Sequence, residues 1–257
     1  MPHRRMAGMT RAIAPRAWSI IALFMVSISV IAASDYAREE RWKNEITQAI
    51  VVGDPEYLEQ KNGHKFLGIY TEASNAKLGV VVVHGIGIHP DWGMIATLRQ
   101  RLPDHGYTTL SIQMPVLAAD ARAEDYAATF PEAIERMQLA VAFLGRKGCK
   151  RIAIVSHSLG SRMARAFMAD NPAGISAWVA LGMSDAAIAY RGIEAPVLDL
   201  YGSNDLPQVL AGSARRLASL TRNTASKQAI IANTDHFFAG HENEMVMAVK
   251  TFLDGLK

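Results

Sequence analysis

The sequence predicts an α/β fold: a mainly parallel central sheet with helices on both faces. Three observations lead to it. Leu78–Val83 is a near-continuous apolar, β-branched run, as a strand covered on both faces requires. Shorter apolar runs recur at 107–113, 152–155, 177–181, 197–201 and 228–232, separated by segments of helical period. Strands alternating with helices at this spacing imply right-handed crossovers and parallel pairing.

Taken in order, residues 35–60 are charged and helix-compatible up to Gly53, with a break at Asp54-Pro55. They read as a linker or stalk over 35–64, leading into a folded domain at 65–257. Residues 65–71 form an early strand, followed by the 78–83 strand and a short helix at 94–102. After the 107–113 strand comes a longer helix at 126–145, whose apolar stripe is Ala133, Ile134, Met137, Ala140, Val141 and Leu144. The 152–155 strand gives way at Leu159 to a helical pattern with Met163, Ala164, Phe167 and Met168 on one face. Helices at 214–220 and 244–253 flank the last strand. Internal repeats and low-complexity tracts are absent from the sequence.

At 257 residues and half apolar, the chain can bury the core of one domain of ordinary size. Its net charge is +3, with Arg4, Arg5, Arg11 and Arg16 all preceding the folded part, so the body is nearly neutral and offers nothing to nucleic acid. Those arginines precede an uncharged apolar run at 18–33 that ends in small residues, followed by Asp35, Glu39 and Glu40. This pattern reads as a signal peptide or an N-terminal membrane anchor within 1–34, with the N-terminus held inside and the body exported to the periplasm. Attachment to a membrane would run through this segment. Cys149 is the only cysteine, so there is no intrachain disulfide, and no cysteine follows the apolar run to carry a lipoprotein anchor.

In open α/β sheets, reacting groups sit just beyond the carboxyl ends of strands. Three stretches lie in such places. Between the 152–155 strand and its helix lies Ser156-His157-Ser158-Leu159-Gly160, where a serine at a tight strand-to-helix turn is flanked two residues on either side by small residues. After Leu78–Val83 comes His84-Gly85-Ile86-Gly87, whose glycines allow backbone N–H groups to face a developing alkoxide. The expected donors are Ile86 and Leu159, with Gly85, Gly87 and Trp92 at the substrate. After 197–201 comes Gly202-Ser203-Asn204-Asp205, and after the last strand Asp235-His236-Phe237-Phe238. Asp205 is preferred as the acid over Asp199, which lies inside a strand where an unpaired carboxylate is costly. Ser158, Asp205 and His236 then occur in the chain order that this type of site requires. The histidines show no metal-ligand spacing such as H-E-x-x-H, and no cofactor or metal is expected.

From about residue 65 to the C-terminus the chain resembles the α/β-hydrolases, with Ser156 in place of the usual first glycine of the elbow. The segments HGIGIHPDW, YGSND and DHFFAG also resemble a group of exported bacterial hydrolase-like proteins without assigned substrates. The resemblance implies a serine-dependent acyl hydrolase of the carboxylesterase kind, acting on a small-molecule acyl substrate through an acyl-enzyme. It also implies no large cap domain, since lids are usually inserted in the interval that corresponds to 182–196, which is too short to hold one. Two other readings share the scaffold: a non-catalytic, membrane-tethered binding or assembly module, and an acyltransferase using the same residues.

Overall fold

The computed structural model describes residue 1, residues 34–76 and residues 78–256, nearly all of which lie in one compact unit, Ile31–Lys257. The run expected at 18–33 to be a signal or anchor lies outside the described residues. Among the described residues no helix is long and apolar enough to cross a membrane.

Eight strands form one sheet in the order β1-β2-β4-β3-β5-β6-β7-β8. From β3 (Leu78–Val83) the sheet is parallel through β4 (Tyr107–Ile112), β5 (Ile152–His157), β6 (Ile175–Leu181), β7 (Val197–Gly202) and β8 (Lys227–Ile231). The antiparallel hairpin of β1 (Asp54–Glu59) and β2 (Lys65–Thr71) is added at one edge.

Alternation along β3 shows how both faces are buried. Val81 and Val83 enter one core with helices α3 (Phe130–Arg146) and α4 (Leu159–Met168), whereas Val80 and Val82 enter the other with α2 (Gly93–Arg101) and α6 (Glu242–Asp254). The mainly parallel sheet with helices on both faces is therefore as the sequence predicts, and no helix occupies residues 182–196. Helix α5 (Pro207–Ser219) starts well before the expected 214, with Pro207 in its first turn, where a missing N–H costs nothing. Gly212 inside it allows close packing, because a Cβ there would lie 2.8 Å from Ala186 Cα.

Residues 35–64 are not a linker. They form helix α1 (Tyr36–Ala49) and the edge strand β1, both integral to the domain. Asp35 caps α1 by accepting from Arg38 N–H at 2.9 Å, and its own N–H donates to the Val116 carbonyl at 2.7 Å. Ile46, Trp42 and Ile50 pack on Leu67 and Ile69 of β2. The charge that suggested a stalk is partly internal: Glu39 is buried against the Arg136 guanidinium at 3.1 Å and His64 Nε2 at 3.0 Å. Residues 60–63 make the turn between β1 and β2, closed by Gly63 N–H donating to the Gln60 carbonyl at 2.9 Å, with Gly63 at φ 84. Pro55 is tolerated because β1 is the edge strand.

Candidate active site

Between the end of β5 at His157 and the start of α4 at Leu159, Ser158 alone makes the turn, with φ 56 and ψ −123. A side-chain-bearing residue rarely holds a positive φ, and the strain persists only where its surroundings enforce it. Those surroundings are specific. Ser158 N–H donates to the Leu181 carbonyl at 2.9 Å, and its own carbonyl accepts from Ser161 N–H at 2.9 Å. Gly160 must lack a side chain because a Cβ there would run into the His84 carbonyl oxygen. Ser156 fits in place of glycine: its buried hydroxyl accepts from Trp178 Nε1–H at 2.9 Å and pairs with the Ser161 hydroxyl at 3.0 Å. The extra polar group is thus satisfied, and the elbow keeps its geometry.

The other two residues come from the ends of β7 and β8. His236 Nε2 lies 2.8 Å from Ser158 Oγ, and its Nδ1 lies 2.6 Å from Asp205 Oδ1. A carboxylate only accepts, so Nδ1 carries the proton and Nε2 is left as the acceptor for the serine hydroxyl. Asp205 Oδ1 also accepts from Leu206 N–H at 2.7 Å. All three side chains are buried. The rival Asp199 is elsewhere: fully buried inside β7, it pairs with Arg216 Nε at 2.9 Å and accepts from Tyr190 OH and Gln228 Nε2, each at 2.7 Å. Its charge has a structural partner and no contact with His236.

Two glycines missed at the sequence level make room for this arrangement. A Cβ on Gly182, at φ 51, would lie 2.9 Å from His236 Nδ1. A Cβ on Gly202 would strike the Thr234 carbonyl, where the histidine loop crosses the end of β7. Both directly follow strand residues, Leu181 and Tyr201, and that position was the available signal.

The expected oxyanion loop lies against the serine. Gly85 backs onto Ser158, so that a Cβ would sit 2.9 Å from Ser158 Cβ. Buried His84 accepts Met114 N–H at Nε2 (2.9 Å), which leaves Nδ1–H to donate to the Gly85 carbonyl at 2.8 Å. Burial pushes the His84 pKa down to about 3, so the ring stays neutral and the tautomer is fixed. With the Gly85 carbonyl turned toward His84, the trans peptide directs the Ile86 N–H to the opposite side. Leu159 is the first residue of α4, and its N–H has no carbonyl to meet within the helix. Gly87, at φ 73, is needed for the turn, with open space where a side chain would be.

Trp92 meets Phe237 edge to face, ring centroids 5.1 Å apart, and Phe237 in turn lies 5.2 Å from the His236 ring. Ile86, Leu206 and Phe237 are all exposed and each adjoins a site residue, giving the mouth an apolar rim. The alanine-rich segment 114–125 is fixed at both ends. Met114 and Leu117 enter the core, and the Ala123 carbonyl accepts from Arg162 at 3.5 Å.

Solved structures of similar shape share this architecture. The chain is 20% identical to dienelactone hydrolase from Anabaena variabilis over 79% of its length and 99% of that chain, with a TM-score of 0.64. With a serine hydrolase without lid from Xanthomonas campestris the identity is 12% over 80% and 95%, with a TM-score of 0.63. The chain has the α/β-hydrolase fold. Carboxylesterase CesB from Bacillus subtilis, 14% identical over 85% of this chain and 98% of its own, has the fold as well, with a TM-score of 0.63. Residues 43–134 match DUF3530, a family described as protein of unknown function. No curated protein matches the chain.

Proposed function

We propose that this α/β-hydrolase-fold protein is a serine-dependent carboxylic ester hydrolase. The observation that carries the reading is the unbroken chain from Ser158 Oγ through His236 to Asp205, with links of 2.8 and 2.6 Å. Ser158 Oγ attacks the ester carbonyl while His236 Nε2 takes its proton. The Ile86 and Leu159 N–H groups receive the oxyanion, and His236 returns the proton to the departing alkoxide. Water then repeats the sequence on the acyl-enzyme, with His236 as base and Ser158 as leaving group. Asp205 holds the imidazole tautomer and stabilises its charged form. A binding module on the same scaffold would have no use for Ser158 at φ 56, a conformation costing roughly 1–3 kcal/mol.

The short 182–196 connection and the exposed rim favour compact acyl groups. Each methylene that stays in water forgoes about 0.8 kcal/mol of burial, so chain length beyond the rim adds nothing to transition-state binding. With p-nitrophenyl esters from acetate to decanoate, kcat/KM is expected to be flat or falling beyond about six carbons. Activity should be absent in Ser158→Ala throughout. A sharp optimum at long chains would refute the open-site reading.

The N-terminal arginines and the apolar run at 18–33 support export of the body, either released or anchored. A reporter active only in the periplasm, fused after Lys257, should be active. Activity of a cytoplasmic reporter alone would rule export out.

A further inference from the structure

His157, the last residue of β5, is buried beside the nucleophile and has no part in the proton transfers proposed above. Its ring lies against the His236 ring, centroids 4.6 Å apart, and its Nε2–H donates to the main-chain carbonyl of His236 at 2.9 Å. The other nitrogen, Nδ1, is buried with no hydrogen-bond partner among the described residues. Burial pushes the pKa of His157 down to about 3, so the ring is neutral and one nitrogen must remain a bare acceptor.

An unpaired buried acceptor costs stability, and a phenyl ring of similar shape would avoid that cost. The imidazole is therefore best accounted for by what its other nitrogen does. That nitrogen grips a loop which needs holding. Within 233–238, Asn233 at φ 59 and Phe238 at φ 55 are both non-glycine residues in the left-handed region, and such conformations relax unless held. Asn204 N–H bonds the Thr234 carbonyl at 3.0 Å, Asp235 Oδ1 accepts from Phe237 N–H at 2.9 Å, and Phe238 is fully buried. These contacts fix the residues around His236. The His157 bond reaches His236 itself, from the residue directly before Ser158.

We propose that His157 is a positioning residue that clamps the main chain of His236 to the nucleophile strand, keeping Nε2 on the Ser158 hydroxyl. This rests on the ester-hydrolase reading, in which the distance between these two groups sets the rate. A displacement of about 1 Å can cost on the order of 100-fold in rate.

The test compares three variants. His157→Phe keeps a ring and loses the donor. His157→Gln places an amide N–H near the position of Nε2, and His157→Asn places one near Nδ1 instead. For p-nitrophenyl acetate, His157→Phe is expected to lower kcat roughly 10- to 100-fold, with KM within twofold and an unfolding midpoint close to wild type. His157→Gln should recover most of the loss and His157→Asn should not. Proton NMR supplies a readout independent of turnover. The downfield Nδ1–H resonance of His236, bonded to Asp205, should be sharp in wild type and His157→Gln but broadened or lost in His157→Phe. If wild type hydrolyses no ester, the ester-hydrolase reading fails, and the resonance still decides the clamp. If the phenylalanine variant does not fold, the glutamine and asparagine variants decide it. Equal kcat and equal resonances in those two, or an unchanged His157→Phe, would overturn the proposal.

Discussion

Asp205→Asn is expected to lower kcat by up to about 10⁴-fold while leaving the unfolding midpoint near that of wild type. The carboxylate accepts from His236 Nδ1 at 2.6 Å and from Leu206 N–H at 2.7 Å. Both bonds fall on one oxygen, Oδ1, while Oδ2 faces Gly202 N–H at 3.4 Å, so the asparagine oxygen can serve only one of these two sides. With its amide on the Oδ2 side the residue keeps the tautomer and loses only the negative charge; with its amide on the Oδ1 side it faces His236 as a donor, which leaves Nδ1 bare and puts the proton on Nε2. In the proposed mechanism that nitrogen accepts the proton of Ser158, and with either orientation the charged imidazole loses its counter-ion. Kinetic constants and thermal unfolding on the same preparation check both halves. A near-normal kcat would remove Asp205 from the mechanism.

Asp199→Asn is expected to act in the opposite way. Asp199 sits fully buried where donors converge from Arg216, Tyr190 and Gln228. Burial, followed by the neighbouring Asp199 carboxylate, pushes the Tyr190 hydroxyl well above its ordinary pKa, so it stays a donor. Replacing the carboxylate by an amide leaves the Arg216 charge uncompensated in the interior and turns one acceptor into a donor facing donors. Breaking a buried pair in this way costs about 3–5 kcal/mol. In a domain of this size the unfolding midpoint should fall by roughly 6–20 °C. The protein that remains folded should keep its kcat. A stable variant with collapsed turnover would transfer the role of the acid to Asp199.

The contrast between these two aspartates shows what the sequence could carry. Asp205 was legible because it follows a strand, as do His84, Ser158 and His236, and the end of a strand is a position that periodicity locates. The sheet was legible for the same reason from β2 onward. What sequence reasoning missed depends on segments far apart in the chain. The charges of α1 read as a solvated stalk because the partner of Glu39, Arg136, lies 97 residues away. Strand β1 hides behind Pro55, although Asn62-Gly63 just ahead of the β2 run was a usable hairpin signal. Gly182 and Gly202 gain their meaning only when the histidine loop lies across them. His157 carries no sequence signal of its own, because the carbonyl it bonds lies 79 residues away.

The most direct measurement of the central claim is covalent labelling of the purified body with a fluorophosphonate, followed by mapping of the modified residue by mass spectrometry. The phosphonyl group requires an activated serine beside a general base and an oxyanion site, which are the parts proposed for Ser158, His236, Ile86 and Leu159. The expected result is a single adduct on Ser158 that is lost in Ser158→Ala. An adduct on another residue that survives in Ser158→Ala, or no adduct on the folded protein, would contradict the account.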